Sequence, residues 1–294
     1  MFKSSLRAFA LAASALLLSG TASAQLGNPY EKGPDPTTAA LERNGSFSTG
    51  TLDISRLSAT GFGGGRVWYP RASGSYGVIA VSPGYTAPGS TMYFWGERLS
   101  SHGFVVVVID TTTVLDQPEQ RASQLMAALD NVVARGRNVT SPLYGKVDGN
   151  RRAVAGHSMG GGGSLVAAVR NPSLKAAIPM APWNLASAFT FGAIRVPTMI
   201  LACQLDAIAP TAIHASAFYT GLSFSTPKTY VEMRGEDHLC VMNGGGHYAT
   251  LGKLGIAWAK RWVDNDRRYD SWISGSGWNT LSSIEVSDKR RGGF

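Results

Sequence analysis

The residues best suited to chemistry form one motif, Gly156-His157-Ser158-Met159-Gly160. It follows an apolar stretch, Arg152 to Ala155, and precedes a helix-like stretch, Gly161 to Arg170. A serine at such a strand-to-helix turn lies on a strained elbow with its hydroxyl exposed, and the two glycines leave room for the turn. The alternatives are an ordinary glycine-rich turn and a phosphate loop, but no Gly-Lys pair follows to bind phosphate. The motif predicts nucleophilic catalysis by Ser158.

A serine hydroxyl becomes a good nucleophile only when a nearby base accepts its proton. Two of the five histidines, His238 and His247, follow the predicted strand Thr229 to Met233, and the base is expected at the carboxyl end of a strand. His238 is preferred because it comes directly after the tight turn Gly235-Glu236-Asp237. His247 follows the flexible run Gly244-Gly245-Gly246 and remains the alternative.

The acid that orients the histidine is expected between serine and histidine in chain order, at a strand end. Asp206 fits, because it closes the apolar run Thr198 to Leu205. Its alternative role is to cap a helix over Thr211 to Tyr219. Asp237 is a weaker candidate because side chains adjacent in sequence diverge. As the third residue of a triad, Asp206 would hold the imidazole in one tautomer and stabilise the imidazolium.

Acyl transfer also needs two backbone N–H groups that bind the oxyanion. One is expected from Met159, the residue after the nucleophile. The other is expected from the loop that follows an early strand, here Ser82-Pro83-Gly84-Tyr85 after Gly77 to Val81. The amide of Tyr85 is the candidate.

Alternating strands and helices must position these residues. Apolar runs such as Phe104 to Ile109 are typical of strands buried on both faces of a parallel sheet. The alternation predicts an α/β protein with a mostly parallel central sheet flanked by helices. Predicted strands are 65–69, 77–81, 104–109, 152–155, 176–180, 198–202 and 229–233, and predicted helices are 93–101, 118–134, 161–170, 211–219 and 248–263. Residues 25–43 are expected to be an extended lead-in, and the tail after Asp264 receives no element.

The first 24 residues have the pattern of an export signal, with Lys3 and Arg7 before the apolar run Ala8 to Leu18 and small residues at 22–24. Residues 25–294 are then expected to form a single catalytic domain that is secreted, extracellular or periplasmic, without a transmembrane segment. The net charge of +8 is spread along the chain, so a solvated surface is expected and nucleic acid is not a predicted partner. A monomer is expected.

The chain has two cysteines, Cys203 and Cys240. In an exported protein an even pair is expected to form a disulfide, which here would join the loop of the acid to the loop of the base. Two buried free thiols are the alternative.

Several motifs in one order resemble the bacterial cutinase-like polyester hydrolases, which include the poly(ethylene terephthalate) hydrolases and have the α/β-hydrolase fold of the dienelactone-hydrolase-like proteins. The matching segments are Asn28-Pro29-Tyr30, 58–65, 82–85, 101–104, 156–164, Ala181-Pro182-Trp183, 206–210 and 262–266. The resemblance implies a triad of Ser158, Asp206 and His238, and an oxyanion hole of Tyr85 and Met159. It further implies a substrate cleft lined by Tyr85, Trp183, Ile208, His157 and Leu239.

From the residues alone, Trp183 would be interpreted as a core aromatic. The short stretch between Ser158 and Asp206 is already used by two strands, a helix and a connection, so no lid domain is expected. Many similar proteins carry a second cysteine pair, and some bind calcium on acidic residues near the histidine loop. Neither pattern is evident here, and no cofactor or metal is expected.

These observations predict a secreted serine ester hydrolase that cleaves polyesters, such as cutin or poly(ethylene terephthalate), and short-chain esters through an acyl-enzyme. The alternative within enzymes is a lipase or carboxylesterase of soluble or lipid esters. A catalytically inactive secreted binding protein is a more distant alternative, because all three triad residues are present. No His-Glu-x-x-His motif supports a metallohydrolase.

Overall fold

The computed structural model describes residues 28–294. The predicted export signal, residues 1–24, lies outside this range. Within it, nine strands form one sheet: β1 Thr49–Ile54, β2 Gly65–Pro70, β3 Tyr76–Ser82, β4 Val105–Ile109, β5 Val147–His157, β6 Ala176–Met180, β7 Thr198–Cys203, β8 Lys228–Met233 and β9 Val286–Gly292.

Seven α-helices lie among residues 28–294: α1 Thr38–Leu41, α2 Tyr93–Ser101, α3 Pro118–Arg137, α4 Met159–Arg170, α5 Ala215–Gly221, α6 Tyr248–Val263 and α7 Ser276–Asn279. Short 3-10 helices cover Arg56–Ser58, Gly89–Met92, Ala188–Ala193 and Arg267–Trp272. None of the helices in this part of the chain is long and apolar enough to cross a membrane.

The strand order is β1-β2-β4-β3-β5-β6-β7-β8-β9. The six strands from β4 to β8 run parallel to one another, whereas β1, β2 and β9 add antiparallel pairings at the two ends. This is the mostly parallel, helix-flanked sheet that the sequence predicts. The carboxyl ends of parallel strands lie on the same side of the sheet. The loops after β3, β5, β7 and β8 therefore meet there, and they carry the candidate site residues.

The sheet is buried on both faces, as the continuous apolar strands predict. Successive residues of β4 point to opposite faces: Val106 and Val108 pack with α2 and α6, while Val105 and Val107 pack with α3 and α4. Every β4 side chain is therefore inside the protein.

All seven predicted strands are present, but several features differ from the sequence prediction. β5 begins at Val147 rather than Arg152 because its first residues pair with the start of β3 across an irregular register. The predicted helix over 211–219 begins only at Ala215, since the Pro210 carbonyl accepts the amides of Ile213 and His214 in a turn.

Strands β1 and β9 are not among the strands that the sequence predicts. The polar tail returns as β9 and pairs with β8 over most of its length. The lead-in contains α1 and packs on the rest of the chain: the side-chain amide of Asn28 donates to the Asp264 carbonyl at 2.8 Å, and the Arg151 guanidinium lies 4.1 Å from the centre of the Tyr30 ring.

Candidate active site

Ser158 stands at a strained turn between the last residue of β5 and the first residue of α4. Its backbone has φ 55° and ψ −119°, a region that non-glycine residues rarely occupy. Backbone hydrogen bonds hold it there: its amide donates to the Met180 carbonyl at 3.0 Å, and its carbonyl accepts the Trp183 amide at 2.9 Å. The turn is the strand-to-helix elbow that the motif predicts.

The glycines of the motif are required by close backbone approach. A Cβ atom at Gly156 would lie 2.4 Å from the Gly160 carbonyl oxygen, and one at Gly160 would lie 2.4 Å from the Ser82 carbonyl oxygen. Any other residue at these two positions would push the elbow away from the sheet or from the loop after β3.

His238 and Asp206 are joined by a short hydrogen bond. His238 Nδ1 donates to Asp206 Oδ2 at 2.7 Å, and both side chains are almost fully buried. Because a carboxylate only accepts, the proton on Nδ1 leaves Nε2 of a neutral ring free to accept another. Asp206 Oδ1 accepts the amides of Ile208 and Ala209, at 3.0 and 2.7 Å.

These bonds also set the charge of Asp206. Burial alone would raise the pKa of this carboxyl group, but the hydrogen bonds from His238 and the two amides outweigh it, so the pKa lies below its ordinary value. Asp206 is therefore an anion at neutral pH. It does not cap α5, which begins only at Ala215.

The other candidates lie elsewhere. His247 contacts two glutamates, with Nε2 3.3 Å from Glu236 and Nδ1 3.7 Å from Glu285. Asp237 is exposed and accepts the Leu239 amide at 2.9 Å. The structure thus brings Asp206 to His238 and not to His247.

A disulfide joins Cys203 to Cys240, as predicted. Cys203 ends β7 just before Asp206, and Cys240 follows His238 on the loop after β8. The bond closes a loop with a sequence separation of 37 residues. It ties together the two loops that carry Asp206 and His238.

The loop after β3 lies directly against the elbow. A Cβ atom at Gly84 would be 3.1 Å from Ser158 Cβ and 2.9 Å from His157 Nδ1. Thr86 has φ 59°, and its amide donates to the Val114 carbonyl at 2.8 Å. Tyr85 therefore lies on a constrained loop beside the serine, and Met159 opens α4 on the other side. Their role as oxyanion donors remains a prediction.

Of the predicted cleft residues, Tyr85, Ile208 and Leu239 are 45%, 62% and 50% exposed, and Trp183 is partly buried. His157 is different, because it is only 3% exposed. Its Nε2 donates to the His238 carbonyl at 2.8 Å, so this buried ring holds the loop of His238 and does not line an open cleft. Burial lowers the pKa of His157 to about 3, so its ring is neutral.

Two further residues at the site carry no sequence motif. His214 is buried and stacks on the Trp183 ring, with 6.1 Å between centres. Arg121 of α3 is buried beneath the loop after β3. Its position offers a sequence signal, because Arg121 falls on the helical stripe that continues with Leu125, Ala128 and Val132. A cation on the apolar stripe of a helix is unusual.

Comparison with known proteins shows what the chain is similar to. A family model described as PET hydrolase-like matches residues 24–292. A cutinase of Thermobifida fusca (strain YX) is 47% identical over 273 residues, covering 91% of this chain and 87% of the relative. Cutinase 1 of Thermobifida cellulosilytica is 47% identical, covering 84% and 92%. A bis(hydroxyethyl) terephthalate hydrolase of Streptomyces coelicolor (strain ATCC BAA-471 / A3(2) / M145) is 42% identical, covering 87% and 80%.

The fold and these matches define a carboxylic ester hydrolase of the cutinase and polyester hydrolase type, with the α/β-hydrolase fold. The chain belongs to the PET hydrolase-like family. The resemblance predicted from the sequence motifs is confirmed.

Proposed function

We propose that this chain is a secreted serine hydrolase that cleaves polyesters, such as cutin or poly(ethylene terephthalate), and short-chain esters. Its catalytic residues would be Ser158, His238 and Asp206. The observation that carries the proposal is the 2.7 Å hydrogen bond between His238 and Asp206, beside a serine held in the positive-φ elbow. The names of the relatives, cutinases and a terephthalate ester hydrolase, support the substrate class.

These residues support the following reaction. Ser158 Oγ attacks the ester carbonyl carbon while His238 Nε2 takes its proton, and the Asp206 carboxylate stabilises the imidazolium. The amides of Tyr85 and Met159 bind the oxyanion. As the tetrahedral intermediate collapses, His238 gives the proton to the leaving alkoxide and an acyl-serine remains. Water, deprotonated by His238, then attacks the acyl-serine. As this second tetrahedral intermediate collapses, the bond to Ser158 Oγ breaks, His238 returns the proton to that oxygen, and the acid is released.

Exposed apolar residues on the loops of the candidate site, here called the collar, support the proposal of a polymeric substrate. Eight large apolar residues at least 45% exposed lie on the loops after β3, β4, β6, β7 and β8: Tyr85, Val114, Leu115, Leu185, Leu205, Ile208, Ile213 and Leu239. Three pairs of these loops are in contact: Thr86 donates to Val114, His214 stacks on Trp183, and the Leu205 amide donates to the Glu236 carbonyl on the loop after β8. Exposed apolar patches of this kind mark binding surfaces.

The first experiment compares hydrolysis of a short-chain nitrophenyl ester and of an aromatic polyester film. The wild type is expected to cleave both, and Ser158→Ala neither. Activity that survives in Ser158→Ala would refute the assignment of the nucleophile. If the wild type cleaves only the small ester, the alternative of a carboxylesterase or lipase is correct.

A second experiment separates the collar from the chemistry. We expect the triple variant Leu185→Ser, Leu205→Ser, Ile213→Ser to lose roughly tenfold in film hydrolysis but less than threefold in kcat for the nitrophenyl ester. The matched control replaces Val139, Tyr144 and Phe224, which are similarly exposed but precede β5 and β8 at the opposite sheet edge. Equal loss on the film in both triple variants would contradict the role of the collar.

A further inference from the structure

Arg121 is a fully buried cation close to the candidate site. Its guanidinium donates to three backbone carbonyls: Nη1 to Pro83 at 2.9 Å, Nη2 to Val114 at 3.1 Å and Nε to Asp116 at 2.7 Å. Within residues 28–294, no ion pair joins it to a carboxylate. Its hydrogen-bond partners are all neutral, and the charge of the Asp116 carboxylate offsets only part of the effect of burial on its pKa. Burying a cation in this way costs stability, so core packing does not explain why an arginine stands here.

Two of the carbonyls that Arg121 binds restrain the chain before and after Tyr85. Pro83 comes two residues before Tyr85 in sequence. Val114, on the loop after β4, also accepts the amide of Thr86, the residue after Tyr85. The loop is thus fixed directly at residue 83 and through Val114 at residue 86. Thr86 needs this restraint because its φ of 59° is strained.

Arg121 also packs on the helix that carries the nucleophile. A Cβ atom at Gly163 would lie 2.9 Å from Arg121 Cβ, and one at Gly160 would lie 2.5 Å from the Pro83 carbonyl oxygen. The Pro83 carbonyl therefore lies between the guanidinium and α4. Burial lowers the pKa of Arg121 to about 10, which leaves the side chain protonated at neutral pH.

We propose that Arg121 is a positioning residue for the oxyanion hole, holding residues 83–86 so that the Tyr85 amide points at the developing oxyanion. This inference rests on the proposed function. The planar guanidinium matches three carbonyls at once, and the rounder lysine ammonium cannot keep all three contacts in the same geometry. The buried positive charge further polarises the peptide groups of the loop.

The test is Arg121→Lys, measured on a short-chain nitrophenyl ester. We expect kcat to fall about 10- to 100-fold with KM within about threefold, because a displaced donor weakens transition-state binding more than substrate binding. Arg98→Lys is the matched control. Arg98 is also buried, but it donates to the Leu41 carbonyl, at the lead-in. It should lower the melting temperature and leave kcat within about twofold.

A second readout reports on the oxyanion itself. A thionoester places sulfur, a larger and weaker acceptor, in the hole, so an intact hole favours the oxygen ester. The ratio of kcat/KM for the ester to that for the matching thionoester should fall at least fivefold in Arg121→Lys and stay unchanged in Arg98→Lys. An Arg121→Lys enzyme with wild-type kcat and ratio would overturn the proposal, and so would an equal change in both variants.

If Arg121→Lys does not fold, the wild type provides the measurement. Phosphonylation of Ser158 places an oxygen in the hole, and the NMR resonance of Arg121 Nε–H should shift while that of Arg98 does not. No shift at Arg121 would overturn the proposal. Activity surviving in Ser158→Ala would instead refute the proposed function, so the two failures are distinguishable.

Discussion

The two halves of the candidate site differ in what holds them. The proposed acid–base half, Asp206 and His238, is fixed by a disulfide and by hydrogen bonds to an ionised carboxylate. The proposed oxyanion half, residues 82–86, is fixed by the guanidinium of Arg121 and by close packing on α4. The first half depends on redox state and on the charge of Asp206. The second half depends on a cation that is charged at neutral pH, so each half can be disturbed separately.

The largest expected effect is on the acid–base half. Asp206→Asn should lower kcat by about 10³- to 10⁴-fold, because an amide can donate to His238 Nδ1 and favour the wrong tautomer. Asp237→Asn is the matched control, since Asp237 adjoins His238 in sequence but its side chain is exposed. It should keep kcat within about threefold. Steady-state kinetics on a nitrophenyl ester measures both, and similar losses in the two variants would rule out Asp206 as the orienting acid.

Removal of the disulfide should have a smaller effect, and this effect should be confined to the acid–base half. Cys203→Ala with Cys240→Ala opens a loop with a separation of 37 residues, which in the chain-entropy model costs about 4 kcal/mol of unfolding free energy. Denaturant unfolding of wild type and double variant gives this difference. The ratio of ester to thionoester hydrolysis should stay at its wild-type value, because the oxyanion half does not contain the disulfide. A changed ratio would show that the two halves are coupled.

The smallest expected effect is on the free energy of unfolding at acidic pH. Burial lowers the pKa of His102 from 6.5 to about 4, so the unfolded chain binds a proton first as the pH falls. Stability from this group is complete above pH 6.5 and is lost as the pH falls toward 4, in total about 3 kcal/mol. His102→Gln should therefore lose less stability than wild type between pH 7 and pH 4.5.

Urea unfolding at the two pH values measures that difference. His102 lies at the end of α2 and donates to the Arg43 carbonyl, away from both halves of the site, so kcat should not change. Equal acid losses in wild type and variant would assign the acid sensitivity to other groups, such as His157.

The parallel strands and the elbow could be predicted because their signals are local. The run from Phe104 to Ile109 is apolar throughout, and the strand-to-helix context of Ser158 spans few residues. Strand β9 could not be predicted, since its residues are mostly charged and it lies at the sheet edge, where charge is tolerated. Its pairing with β8 is a tertiary event.

The candidate site also contains residues that the sequence places and residues that it does not. Asp206 and His238 could be placed from strand ends and chain order. His157 adjoins the nucleophile in sequence, yet the direction of its side chain depends on the His238 carbonyl, which comes from a distant loop. Arg121 binds carbonyls of two loops, and no sequence pattern shows where those carbonyls point.

Covalent labelling of Ser158 tests the proposed nucleophile and base most directly. Treatment with a nitrophenyl phosphonate should add a single phosphonyl group to the peptide that contains Ser158, as measured by mass spectrometry, with complete loss of esterase activity. The rate should fall at least 100-fold in His238→Asn and remain near wild type in His247→Asn. Inactivation without a label on Ser158, or a rate that depends on His247 and not on His238, would contradict the assignment.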